Sequence, residues 1–359
     1  THQLQVAYSD SDRENFDTGA TTNTQSSESI NAIYQTSYDF MKTPRRLRGT
    51  FAVDYRKDRF SQRYLTFTGA DQNQSRDVVG YVAEIIGQPM DSLDLSASVR
   101  YDDFSDIDNK TTWRVTGSWR VDKTRSRVHS SYGTGIKQAT FTELFGFFPN
   151  SFIGNPDLKP EQAESFDIGI EQSVLDGRVV ADLTWFDSRI DDEIQTVFGF
   201  PSSTVKNADG TSRQQGVELQ VSARLAKGLS ATGSYTYTDA SEPDGAGGKR
   251  REIRRPRHMA SVNLNYRFAQ QRANLNLNLS YTGEQTDLFF PPFPAPSTIV
   301  SLDSYTLVNL AGSYQLTDTI NIYARAENLL DEDYQNVYGF NTPGAGYYAG
   351  VKLNFGGQK

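Results

Sequence analysis

The sequence predicts an all-β chain, folded as a transmembrane up-and-down antiparallel β-barrel with about 16 strands. Three observations carry that prediction. Apolar and polar residues alternate over long stretches. Short turns alternate with long polar connections from end to end. The composition is rich in aromatics yet low in total hydrophobicity.

The alternation is clearest over 272–281, where Leu275, Leu277, Leu279 and Tyr281 take turns with Asn and Ser. The same beat runs through Val217, Leu219, Val221 and Ala223, and through Ile320, Ile322, Ala324 and Ala326. Successive side chains of a strand point to opposite faces, so each segment presents one apolar and one polar face. No long segment shows a helical period.

Short turns are expected near 40–45, 88–92, 122–124, 176–177, 226–228, 269–271 and 317–319. Between them lie polar connections near 10–27, 57–76, 105–110, 137–163, 191–211, 241–257, 285–304 and 331–344, with 105–110 the shortest. Many of the intervening strands should be about 11 to 14 residues long. A soluble sandwich has strands of about 5–6 residues and no reason to gather every long loop at one end. A membrane barrel has one, because its short turns and long loops face opposite sides. Both termini then fall on the turn side. The turns at 176–177, 226–228 and 269–271 should share one rim, with the basic run at 249–257 at the other. One barrel domain takes up residues 1–359, and Thr1, opening on strand-like sequence, reads as the start of a processed or truncated product.

Hydrophobic residues make up 36%, aromatics 12%, with 19 Tyr and 21 Phe; the mean hydropathy is -0.59. Aromatic richness argues against disorder, and no run nears the roughly 18 apolar residues of a membrane helix. A wide barrel with a polar lumen needs apolar residues only outside, which reconciles the two figures. Tyr101, Trp113, Trp119, Tyr132, Trp185, Tyr235 and Tyr237 are expected in girdles at the water–lipid boundary; the alternative is aromatic packing in a soluble barrel. With no cysteine, disulfides, thiolate metal sites and Cys nucleophiles are excluded. The net charge of -8 argues against a nucleic-acid partner.

Several apparent motifs fail on inspection. Gly133-Thr-Gly135 starts a dinucleotide pattern, but Gln138 breaks it and no crossover helix follows. Gly247-Gly-Lys-Arg250 lacks the first glycine of a phosphate loop and has Arg where Ser or Thr belongs. His2, His129 and His258 lie on different elements, and His129-Ser130 has no evident partner acid. Asp10/Asp12, Asp106/Asp108, Asp191-Asp192-Glu193 and Asp331/Asp333 border loops without matching a calcium-loop pattern, and read as solvated loop ends, the alternative being that one of them helps to bind Ca²⁺.

Two loops invite a binding role. Lys249, Arg250, Arg251, Arg254, Arg255 and Arg257 cluster in one external loop of an acidic chain. They read either as a solvated loop touching lipid phosphates or as a source of one or two arginines over the lumen for a ligand. The segment 288–296 is apolar and stiffened by proline; exposed Phe289, Phe290 and Phe293 suggest a ligand or partner contact.

The segment 131–145, Ser-Tyr-Gly-Thr-Gly-Ile-Lys-Gln-Ala-Thr-Phe-Thr-Glu-Leu-Phe, resembles the strand-to-loop signature of TonB-dependent outer-membrane receptors. Gly154-Asn-Pro-Asp-Leu-Lys-Pro-Glu161 follows, then Trp185-Phe186, Ile190, Asn207 and Gly216-Val-Glu-Leu219, and finally Glu327-Asn-Leu-Leu-Asp-Glu-Asp-Tyr334 and Val337-Tyr-Gly-Phe340. The resemblance covers roughly residues 90–355.

It implies a bacterial outer-membrane protein that takes up a scarce bulky ligand under force from the TonB complex, with no catalytic residues and no cofactor. It also implies an N-terminal plug and a TonB-binding segment, neither of which is present here. A typically 22-stranded barrel leaves about six strands before Thr1, and any calcium-binding loops would lie in that part. The segment from Asn328 to Gly344 and the modest loops are most similar to the cobalamin receptors of the family. That similarity carries over two ligand contacts: Arg254, and Phe290 where those receptors present a tyrosine. Ferric-siderophore receptors share most of these signatures and form the alternative; a passive porin and an outer-membrane hydrolase are the rival classes. Gly356–Lys359 extend past the aromatic residue that normally ends such barrels.

Overall fold

The computed structural model describes residues 1–41, 45–65, 71–146, 151–292 and 295–355. The tail 356–359, Phe293 and the centre of the 40–45 turn lie outside the described residues.

Sixteen long strands form one meandering wall: β1 (His2–Asp17), β2 (Ala20–Met41), β3 (Leu47–Tyr64), β4 (Gln72–Met90), β5 (Leu93–Phe104), β6 (Lys110–Val121), β7 (Ser126–Lys137), β8 (Glu161–Val174), β9 (Val179–Asp191), β10 (Ser212–Ala226), β11 (Leu229–Pro243), β12 (His258–Phe268), β13 (Ala273–Thr282), β14 (Tyr305–Gln315), β15 (Ile320–Glu327) and β16 (Gly346–Leu353). Each pairs antiparallel with the next. Among the described residues β1 and β16 share no ladder. Because strand direction reverses at every step, the turns at 175–178, 227–228 and 269–272 meet at one rim, and the basic run lies at the other.

The first four strands depart from expectation. Most of the described residues expected in the connections at 10–27 and 57–76 are strand instead: β1 to β4 run 16, 22, 18 and 19 residues, and the pairing continues through 10–17, 20–27, 57–64 and 72–76. A polar run reads as loop because nothing apolar marks it, yet backbone ladders need no apolar face. Ser and Thr suit an extended backbone, and cross-strand contacts such as Arg59–Glu28 and Ser29 donating to Asp58 line the arms. The β1–β2 tip is a two-residue turn, Thr18 and Gly19, both at positive φ. That geometry matches the twist of the strands it joins.

The predicted alternation is realised in register. Leu264 faces Leu277, Leu277 faces Leu310, and Leu310 faces Ala326 across four strands, forming an apolar outer face. An aromatic belt crosses that face toward the loop rim. Tyr81 meets Tyr101 at 6.4 Å, Trp113 meets Tyr132 at 5.1 Å, Tyr132 meets Phe166 at 6.5 Å and Phe166 meets Trp185 at 5.9 Å. Trp119, near the 122–125 turn, lies at the opposite rim.

The inner face is polar. Arg100 bridges Asp54 and Asp102, Arg114 donates to Ser131, and Ser131 donates to Asp167. His129 does have a partner acid, contrary to the sequence reading: its Nε2 lies 2.9 Å from Asp182 on β9. The partner is 53 residues away and meets it only through the β7–β8–β9 ladder. Ser130 donates to the Asp167 carbonyl instead, so no Ser-His-acid set forms there. On β12 to β14 the wall becomes an amide surface, where Asn263 and Asn276 exchange two hydrogen bonds and Asn309 donates to Asn278.

Candidate functional site at the loop rim

The loop rim is built from two knots. In the first, the loop after β7 forms a helix, α1 (Phe141–Phe145), started by a capping box in which Thr140 and Glu143 satisfy each other's backbone amides. Leu144, Leu158, Ala139 and Val205 bury a small core there. Asn155 donates to the Val205 carbonyl at 3.1 Å, while Asn207 donates to the carbonyls of Lys159 and Asp192 and accepts from the Lys159 amide. A Cβ on Gly154 would fall on the backbone of Phe145 and Gly146. Phe186 lies across from Gly216, where an added Cβ would collide with the ring and with the Tyr237 carbonyl. The signature residues singled out above thus satisfy and fill one another; their polar groups are engaged in holding the loops.

The second knot centres on Asp287, which the sequence did not flag. Its side chain is 0% exposed. One carboxylate oxygen accepts from Arg254 Nε and from the Leu288 amide, each at 2.8 Å; the other accepts from the Tyr338 amide at 2.8 Å. Burial pushes this carboxyl up, but the Tyr338 amide, the Arg254 guanidinium and the Leu288 amide pull it below the usual carboxylate range. Three loops are thereby tied together. The hairpin Gln285–Phe289 with Thr298–Leu302 carries the hub. Gln285 adds a bond to the Asn336 carbonyl, and Arg251 adds one to the Glu284 carbonyl. Inside the third loop, Asn328 accepts from the Glu332 amide and donates to the carbonyls of Glu332 and Pro343.

The basic run is mostly committed to the protein. Arg250 pairs with Glu242 at 2.7 Å, Arg255 with Glu252 at 2.9 Å and Arg257 with Asp239 at 3.6 Å. Arg254 differs. Its Nε is anchored, its side chain is 48% exposed, and its terminal guanidinium nitrogens bond no described residue. Phe290 is 52% exposed and sits edge-on to Phe198 at 4.8 Å, which joins the two knots. Phe289 packs on Tyr338 at 5.1 Å. Phe198, Phe200 and Phe340 are also exposed at this rim, at 55%, 77% and 70%. The sequence offered Phe289 and Phe290 through their prolines, and Phe340 only as part of a closing signature; Phe198 and Phe200 were not singled out.

The acidic pairs also serve the loops: Asp106 pairs with Arg76, and Asp331 accepts from the Ala345 amide. Among the described residues no group of three or more His, Asp or Glu could hold a metal ion.

The strand wall, its apolar outer face, its polar inner face and the knotted loops at one rim define a transmembrane β-barrel. The chain belongs to the TonB dependent receptor-like, beta-barrel family, whose profile matches residues 1–329. Members of that family are receptors and transporters, which points away from an enzyme. Among particular proteins, the chain is 30% identical over 269 residues to the vitamin B12 transporter BtuB of Photobacterium profundum, covering 72% of this chain and 40% of that one. It is 27% identical over 310 residues to the BtuB of Vibrio cholerae serotype O1, covering 85% and 46%. The chain thus spans less than half the length of these relatives. The ferric enterobactin receptor of Pseudomonas aeruginosa shares the fold with a TM-score of 0.80 at 16% identity, over 98% of this chain and 59% of that one.

Proposed function

We propose that this chain is the barrel part of an outer-membrane importer that takes up cobalamin, driven by the TonB complex through a plug. The observation that supports the ligand is the match to vitamin B12 transporters over most of the chain. In this reading Arg254, held by Asp287 at Nε, offers its free guanidinium edge to amide or phosphate oxygens of the corrinoid. Phe290 packs on its apolar face. Ferric siderophore is the second reading, favoured by the fold shared with the enterobactin receptor.

The test measures binding of cobalamin and of ferric enterobactin to the full-length protein, wild type and Arg254→Ala. Cobalamin should bind tightly. The substitution should weaken it roughly ten- to hundredfold, the worth of a charged hydrogen bond of about 1.5–3 kcal/mol. Tight siderophore binding with no cobalamin affinity overturns the ligand and leaves the importer standing.

A further inference from the structure

The apolar outer face is not smooth. Near the turn rim, between β3 and β6, it holds a recess of about 520 Å³, within the roughly 300–1,000 Å³ of small-molecule sites. The register explains it. Leu47 faces Gly87, Gly87 faces Leu95, and Leu95 faces Gly117; beside them Ile85 faces Ala97 and Ala97 faces Val115. Small residues thus alternate with large ones across the strands, and the gaps form a slot. A Cβ on Gly87 would touch Leu47 at 3.4 Å, and one on Gly117 would touch Leu95 at 3.4 Å.

Arg45 and Arg46 border the slot at the turn rim. Neither side chain makes an ion pair or hydrogen bond with a described residue. Several other arginines of that rim are tied down: Arg48 to Asp39, Arg120 to Asp94, Arg125 to Asp176, and Arg178 and Arg272 to turn carbonyls. The Arg46 carbonyl accepts from the Gln88 amide at 2.8 Å, which fixes the backbone at the mouth of the slot. An apolar slot on the lipid side with two free cations at its polar end matches a chain-bearing anion.

We propose that this recess binds one phospholipid of the leaflet at the turn rim, its acyl chain in the slot and its phosphate between Arg45 and Arg46. Guanidinium groups suit phosphate oxygens through paired donors, and each basic residue near a membrane surface contributes about fivefold in affinity for an anionic lipid.

The test titrates phosphatidylglycerol into the full-length protein in detergent and reads lipid adducts by native mass spectrometry. One adduct should persist on the wild type. Arg45→Ala with Arg46→Ala should weaken it about 25-fold. Ala97→Phe, which fills the slot without touching the arginines, should remove it; heat-modifiable gel mobility confirms that each variant is folded. Equal retention by the double variant, or equal retention of a diacylglycerol lacking phosphate, overturns the proposal. Displacement of the lipid by an equal concentration of glycerol phosphate also overturns it, since the site would then recognise phosphate alone.

Discussion

Replacing Asp287 by alanine removes the acceptor of three hydrogen bonds at one fully buried point. The three donors do not suffer equally. Arg254, about half exposed, can turn to water, so its loss is small. The amides of Leu288 and Tyr338 point at the buried carboxylate, and a donor stranded on that side costs about 1–3 kcal/mol. Taking both amides together gives about 3 kcal/mol for loop closure, or roughly a hundredfold in the opening equilibrium. Hydrogen exchange on the full-length protein reads this directly. The Tyr338 amide should exchange about a hundredfold faster, while amides of β13 stay protected, because the wall is held by its own ladders. An unchanged Tyr338 rate would refute the idea that Asp287 holds the loops together.

The same hub sets a pH dependence. A carboxylate whose folded pKa is depressed stabilises above its unfolded value and loses that contribution as pH falls through the folded one. The loop knot should therefore hold at pH 5 and loosen only below about pH 4, seen as pepsin cleavage within 328–345 that Asp287→Asn makes independent of pH. Leu277→Arg, on the lipid face at the middle of β13, should lower folding stability in bilayers by about 2–4 kcal/mol; Asn278→Arg, facing the lumen, should lower it far less, as refolding titrations will report. If cobalamin is the ligand, Phe290→Tyr should tighten its binding about three- to tenfold by one neutral hydrogen bond, measured by equilibrium binding; no gain would remove Phe290 from the contact.

Much of the wall was legible because a two-residue period leaves a mark in every strand. Leu275, Leu277 and Leu279 alternate with asparagines, and that alone assigns their faces, whichever strands they pair with. Turn spacing then ordered the strands and put the basic run opposite the turns. The reading failed where period carries little: the arms 10–17 and 57–64 are mostly polar, with only Phe16, Phe60 and Tyr64 apolar, so sequence alone reads them as loop, whereas backbone pairing with 20–28 and 23–30 keeps them extended. At the rim, sequence supplied Arg254 and Phe290 but not what holds them. Asp287, Phe198 and Tyr338 lie 33, 92 and 48 residues from those two, respectively, and meet them or their partners only when the loops fold over one another. Local spacing determines which way a side chain points along its own strand; which distant carboxylate or ring it finds there is set by loop packing, and a single sequence carries no period for that.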